Sequence, residues 1–121
     1  MTAMMSGHMF EIQLRPQYAL VRLGGFIDAA AAEQIKPVLQ QQLPVTVGNI
    51  IVDLSGVEFL DSHGVGLFVS LLKRAHINNG KLVLAGALGQ PGAVLQMVGF
   101  NGALVAYVPK VEDALKAFPA A

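Results

Sequence analysis

The run Asn49-Ile50-Ile51-Val52-Asp53-Leu54 is almost wholly apolar at successive positions, so neither face of it suits water. A short segment that hides both faces is a strand at the middle of a largely parallel sheet, covered above and below. Parallel neighbours need long crossovers, usually helical and right-handed, so this one run predicts an α/β domain. The rest of the chain supplies the alternation. Phe10, Ile12 and Leu14 alternate with polar residues, Arg15-Pro16-Gln17 makes a turn, and residues 18–23 form a second strand, which together predict a hairpin. Asp28 is placed to N-cap a helix over residues 29–43, in which Pro37 predicts a kink or a late start. Val65, Phe68, Val69, Leu72 and Ala75 recur at helical spacing, with Asn78-Asn79-Gly80 as the stop.

Residues 81–85 predict a further strand, and Pro91 opens a helix with Val94, Leu95 and Val98, in which Met97 is expected to be buried and which Gly99 closes. Asn101-Gly102 reads as a turn, residues 103–108 as a strand, and Val111, Ala114, Leu115 and Phe118 as the stripe of a terminal helix. The expected order is ββαβαβαβα, a mixed, largely parallel sheet with a hairpin edge and four helices. Residues 1–9 read as a loose leader and residues 10–121 as one domain.

Composition narrows the function. The chain has 121 residues, 54% hydrophobic and only 13% charged, with a formal net charge of zero. That is ample for one core and leaves no basic footprint for nucleic acid. With no cysteine there is neither a disulfide framework nor a thiolate metal site, which suits the reducing cytoplasm. No apolar run approaches the roughly 20 residues that span a bilayer, so direct membrane contact is not expected.

The segment richest in chemistry runs from Val52 to Leu67, where the central strand passes through an expected loop, Ser55 to Leu60, into a helix start. Asp61 or Ser62 can serve as the N-cap there, and the free N–H groups and dipole of that helix end favour negative charge. Ser62 is therefore a candidate acceptor for phosphate.

Asp53-Leu54-Ser55-Gly56-Val57 followed by Phe59-Leu60-Asp61-Ser62-His63-Gly64-Val65-Gly66 resembles the signature of STAS domains, especially anti-sigma factor antagonists. Gly25-Phe26-Ile27-Asp28, Gly80-Lys81-Leu82-Val83-Leu84 and Val98-Gly99-Phe100 fall in the same order as in that family, so the resemblance covers roughly residues 10–118. It implies a STAS-like fold and a protein-binding role rather than an enzyme. It also implies phosphorylation of Ser62 by an anti-sigma factor that is itself a serine kinase, with a phosphatase to reverse it. Asp28, Asp61, Ser62, His63 and Gly64 then form the partner-binding surface. Capture of the anti-sigma factor frees a sigma factor. Two positions depart from the family pattern: His63 stands where a small residue is usual, and Phe26 where glutamate is frequent. A different implication of the same resemblance is a soluble accessory subunit of a lipid-transport ABC transporter. Self-association through the hydrophobic first strand, as a weak homodimer, is left open.

Other chemistries fit poorly. Ser62 and His63 are adjacent on a helix start and point apart, so they do not make a nucleophile and base. His8, His63 and His76 lack metal-site spacing, and His76 is expected to cap helix carbonyls. Residues 86–92 are glycine-rich but lack the lysine of a phosphate loop, and no cofactor is expected. Gly64 and Gly66 are both expected to let the helix start pack closely.

Overall fold

The doubly apolar run becomes the inner part of a long strand with parallel neighbours on both sides. The computed structural model describes residues 2–5, 8–100, 105–116 and 118. Along the chain the elements are β1 (Thr2–Met5), β2 (His8–Leu14), β3 (Ala19–Ile27), α1 (Ala29–Gln42), β4 (Ile50–Leu60), α2 (Ser62–Ile77), β5 (Leu82–Ala85), α3 (Gly89–Met97), β6 (Ala106–Val108) and α4 (Val111–Leu115). These six strands form one sheet in the order β1-β2-β3-β4-β5-β6. β1, β2 and β3 pair antiparallel, and β3 through β6 run parallel.

Alternate residues of the strands face two unequal layers. On one side Val21, Ile27, Val52, Leu54, Leu60 and Leu84 meet Ile35 and Leu39 of α1, Phe68 and Leu71 of α2 and Leu95 of α3. On the other, Leu20, Ile51 and Val83 meet Ala114 of α4 and Phe118. Tyr18 stacks on Phe118, ring centroids 6.3 Å apart. Among the described residues the small second layer leaves Phe26 and Phe59, at the far ends of β3 and β4, exposed on that face.

The mixed, largely parallel sheet with a hairpin edge and four helices is as expected, with one strand more among the described residues. β1 arises within the stretch read as a loose leader, and β2 begins at His8 rather than Phe10. Thr2 pairs with Glu11 and Met5 with His8, so β1 occupies backbone groups that β2 would otherwise present at an edge. α1 starts at Ala29, without the late start expected, and continues as helix on both sides of Pro37. The carbonyl that Pro37 leaves without a donor belongs to Glu33, which is exposed, so water can satisfy it. α2 ends on Asn79 at φ 56°, with Gly80 N–H donating to Ala75 O at 2.8 Å and Asn79 N–H to His76 O at 3.1 Å. That is a Schellman closure. The capping expected of His76 is performed by Asn78, whose amide donates to Arg74 O at 3.2 Å.

Met97 is not buried. It is 83% exposed, because the nine-residue α3 buries only Pro91 and Leu95. The Asn101-Gly102 turn, and residues 103 and 104 of the last expected strand, lie outside the described residues. Ser55 to Leu60, expected as a loop, is strand. β4 departs from simple pairing twice there: Arg22 faces Asp53 but Gly24 faces Gly56, and Gly25 faces Val57 but Phe26 faces Phe59. Each step leaves one extra residue on β4, the mark of a β-bulge.

Candidate functional site

The site lies where two parallel strands end level. Ile27 of β3 pairs with Leu60 of β4, and Asp61 N–H donates to Ile27 O at 3.4 Å. The next residue of each chain, Asp28 and Asp61, caps the helix that follows. Asp28 Oδ1 accepts from Ala31 N–H at 3.0 Å. Asp61 Oδ1 accepts from His63 N–H at 2.9 Å and Gly64 N–H at 3.1 Å. Two carboxylates thus stand side by side, each held by the start of a helix.

Ser62 is the first residue of α2 and is exposed. His63, also exposed, has Nδ1 3.7 Å from Asp61 Oδ2, an ion pair when the imidazole is protonated. Val65 N–H is taken by Asp61 O at 3.0 Å, so the first turn offers three donors outside the helix ladder: Ser62, His63 and Gly64. Asp61 already uses two of them. The reception expected for a phosphate at this helix end is therefore mostly occupied by a carboxylate.

Gly64 is buried and seats the helix. A Cβ on it would lie 2.6 Å from Ile27 O and collide with the Leu60 side chain, so only glycine lets α2 approach β3 this closely. Gly66 differs: nothing lies within 4 Å of a Cβ built there, and the packing role expected of it is absent. With Ser62 one turn before it and Val69 and Ser70 beyond, Gly66 instead keeps an exposed strip of α2 low.

Residues without an obvious sequence signal complete the setting. Gln90, at the start of α3, donates its amide to Leu60 O and accepts from Leu60 N–H, both at 2.9 Å. β5 stops opposite Asp53, so among the described residues no strand pairs with the outer edge of β4 near Leu60, and Gln90 takes that place. Its sequence separation of 30 residues hides this bond. Phe26 and Phe59 pair across β3 and β4 with rings 5.8 Å apart, and are 51% and 36% exposed. They stand two residues before each cap, on the sheet face away from α1 and α2. The first half of the motif is structural: Asp53 Oδ1 accepts from Ser55 N–H at 3.0 Å and Oγ at 2.7 Å, pinning the first bulge. Arg22 lies between Glu11 at 3.8 Å and Asp53 at 3.6 Å.

Among the described residues no cluster of histidines and carboxylates is arranged to hold a metal, and no helix is long and apolar enough to cross a membrane.

A strand-end serine on one capped helix stands beside a second capped helix, and the STAS domain family model matches residues 9–114. The chain belongs to the STAS domain family. It is similar to the anti-sigma-B factor antagonist of Staphylococcus aureus, 28% identical over 91 residues that cover 75% of this chain and 84% of that protein. Its fold is shared with an anti-sigma factor antagonist from Mycobacterium paratuberculosis, at TM-score 0.75 and 20% identity over 92% of this chain and 93% of that one. The Bacillus cell fate determinant SpoIIAA in its phosphorylated form aligns at TM-score 0.68 and 23% identity, over 89% of this chain and 98% of that one. These relatives are anti-sigma factor antagonists, which are binding proteins rather than enzymes.

Proposed function

We propose that this chain is a cytoplasmic anti-sigma factor antagonist switched by phosphorylation at Ser62. Its partner is an anti-sigma factor with serine kinase activity, a phosphatase reverses the modification, and Asp28, Asp61, Ser62 and His63 form the contact surface. Gly64 acts beneath that surface by seating α2. The observation that carries the reading is the exposed Ser62 at the first position of α2, on a surface made level by Ile27 pairing with Leu60. Phosphate adds about −1.5 to −2 charges where a neutral hydroxyl stood. Because Asp61 already holds the N–H groups of His63 and Gly64, the new charge finds little compensation within the domain and still less under a partner. Burying it there costs several kcal/mol, and about 3 kcal/mol weakens affinity on the order of a hundredfold. The stacked Phe26 and Phe59 border this surface and favour a partner with an apolar patch where a basic one would suit glutamate.

The test starts from native lysate with ATP. Mass spectrometry should place phosphate on Ser62, and Ser62→Ala should carry none. Calorimetry against the recovered kinase should give tight binding by the parent and Ser62→Ala, and binding about a hundredfold weaker by Ser62→Asp and the phosphorylated chain. Equal affinity of all four forms would overturn the proposal.

A further inference from the structure

At the end of α1 and α2 away from Ser62, the two helices part around a groove of about 340 Å³. Leu39, Leu43, Leu67 and Leu71 line it and are buried, while Val45 and Ile77 stand at it 82% and 76% exposed. Lys36, Lys73 and Arg74 also line it, and no aspartate or glutamate does. In a chain with eight basic and eight acidic residues, three cations around one groove without a carboxylate make a local positive field.

The three cations differ in what occupies them. Arg74 Nη1 donates to Leu43 O at 3.2 Å and Pro44 O at 2.9 Å, which ties the chain after α1 to α2 and fixes that end of the groove. Lys36 and Lys73 have no carboxylate partner among the described residues. An apolar trough with two uncommitted ammonium groups calls for an apolar body carrying one negative charge. Size decides between candidates of that kind. Ligand clefts run from roughly 300 to 1,000 Å³, and this groove is at the small end. A helix with its side chains is about 10–12 Å across and would rest on the rim.

We infer that this groove binds a free medium-chain fatty carboxylate, its chain along the leucines between Val45 and Ile77 and its head group between Lys36 and Lys73. This site is separate from Ser62 and goes beyond the phosphorylation reading. Decanoate below its micelle concentration is the probe, titrated into the full chain by calorimetry and amide NMR. Binding should be saturable, with shifts confined to α1 from Lys36 onward, α2 from Leu67 onward and the segment joining α1 to β4. Octanoate should bind roughly fifteenfold more weakly, since each of the two missing methylenes contributes about fourfold. Lys36→Gln with Lys73→Gln should weaken decanoate about tenfold and leave decanol unaffected. Ile77→Ser should weaken both ligands; Ile77 is exposed, so melting should stay at the parent value. The inference fails if decanoate binds no tighter than decanol, if the lysine pair makes no difference, or if the shifts map elsewhere. It fails equally if anionic vesicles or an acidic helical peptide occupy the groove while decanoate does not.

Discussion

α1 and α2 begin in the same way and end up doing different things. Each follows a strand of the parallel pair, each is capped by an aspartate, and the two caps stand level. Yet α1 opens Ala29-Ala30-Ala31, with no side chain able to react, whereas α2 opens Ser62-His63-Gly64. The third position is the sharpest contrast. Ala31 is buried with its methyl group in place, while Gly64 has no room for one. Capping is thus a structural device shared by both helices. What distinguishes α2 is an exposed hydroxyl on a helix drawn one methyl group closer to the sheet.

The largest effect should come from Gly64→Ala. The added carbon meets the Ile27 carbonyl and Leu60, neither of which yields cheaply, so about 2 kcal/mol should be lost, or about 8 °C in thermal melting. An unchanged melting temperature would erase the distinction between the two helix starts. Next is Gln90→Ala, which leaves the buried Leu60 backbone without partners for its N–H and C=O. A loss of about 1.5 kcal/mol is expected, with faster hydrogen exchange at Leu60 as the specific sign.

The capping variants come next. Asp61→Ala removes two hydrogen bonds and Asp28→Ala one, so the first should cost about 1.5 kcal/mol and the second about 1 kcal/mol in denaturant unfolding. The reverse order would mean that the cap of α1 carries more of the fold. Smallest, and opposite in sign, is Gly66→Ala. With open space around it, alanine should stabilise α2 by about 0.5–1 kcal/mol. Weaker partner binding by this more stable variant would show that the low strip beside Ser62 is used in contact.

The sequence made the helix starts legible because capping is local: Asp28 and Asp61 each act within three residues of themselves. The buried centre of β4 was legible for a similar reason, since apolar residues on both faces speak for themselves. The second half of β4 was not. Two extra residues break the alternation, and Ser55, Gly56 and Glu58 then read as loop although the backbone continues as strand. Gln90 was hidden by distance along the chain. Met97 escapes burial because helical spacing assigns a face, and a helix that buries two residues has almost none to assign. The pairing of Phe26 with Phe59 depended on the register set by both bulges.

Those bulges also govern how the chain tolerates change in length. In an ordinary strand, deleting one residue turns every following side chain to the opposite face. Near Glu58 the surplus residue is absorbed locally and Glu58 itself is exposed, so its loss should straighten the ladder while Ile27 stays opposite Leu60. A deletion at Ile51, where the pairing has no slack, should bring the polar Asp53 into the core. The approach to Ser62 is therefore a place where a chain on this frame can gain or lose single residues without displacing the serine.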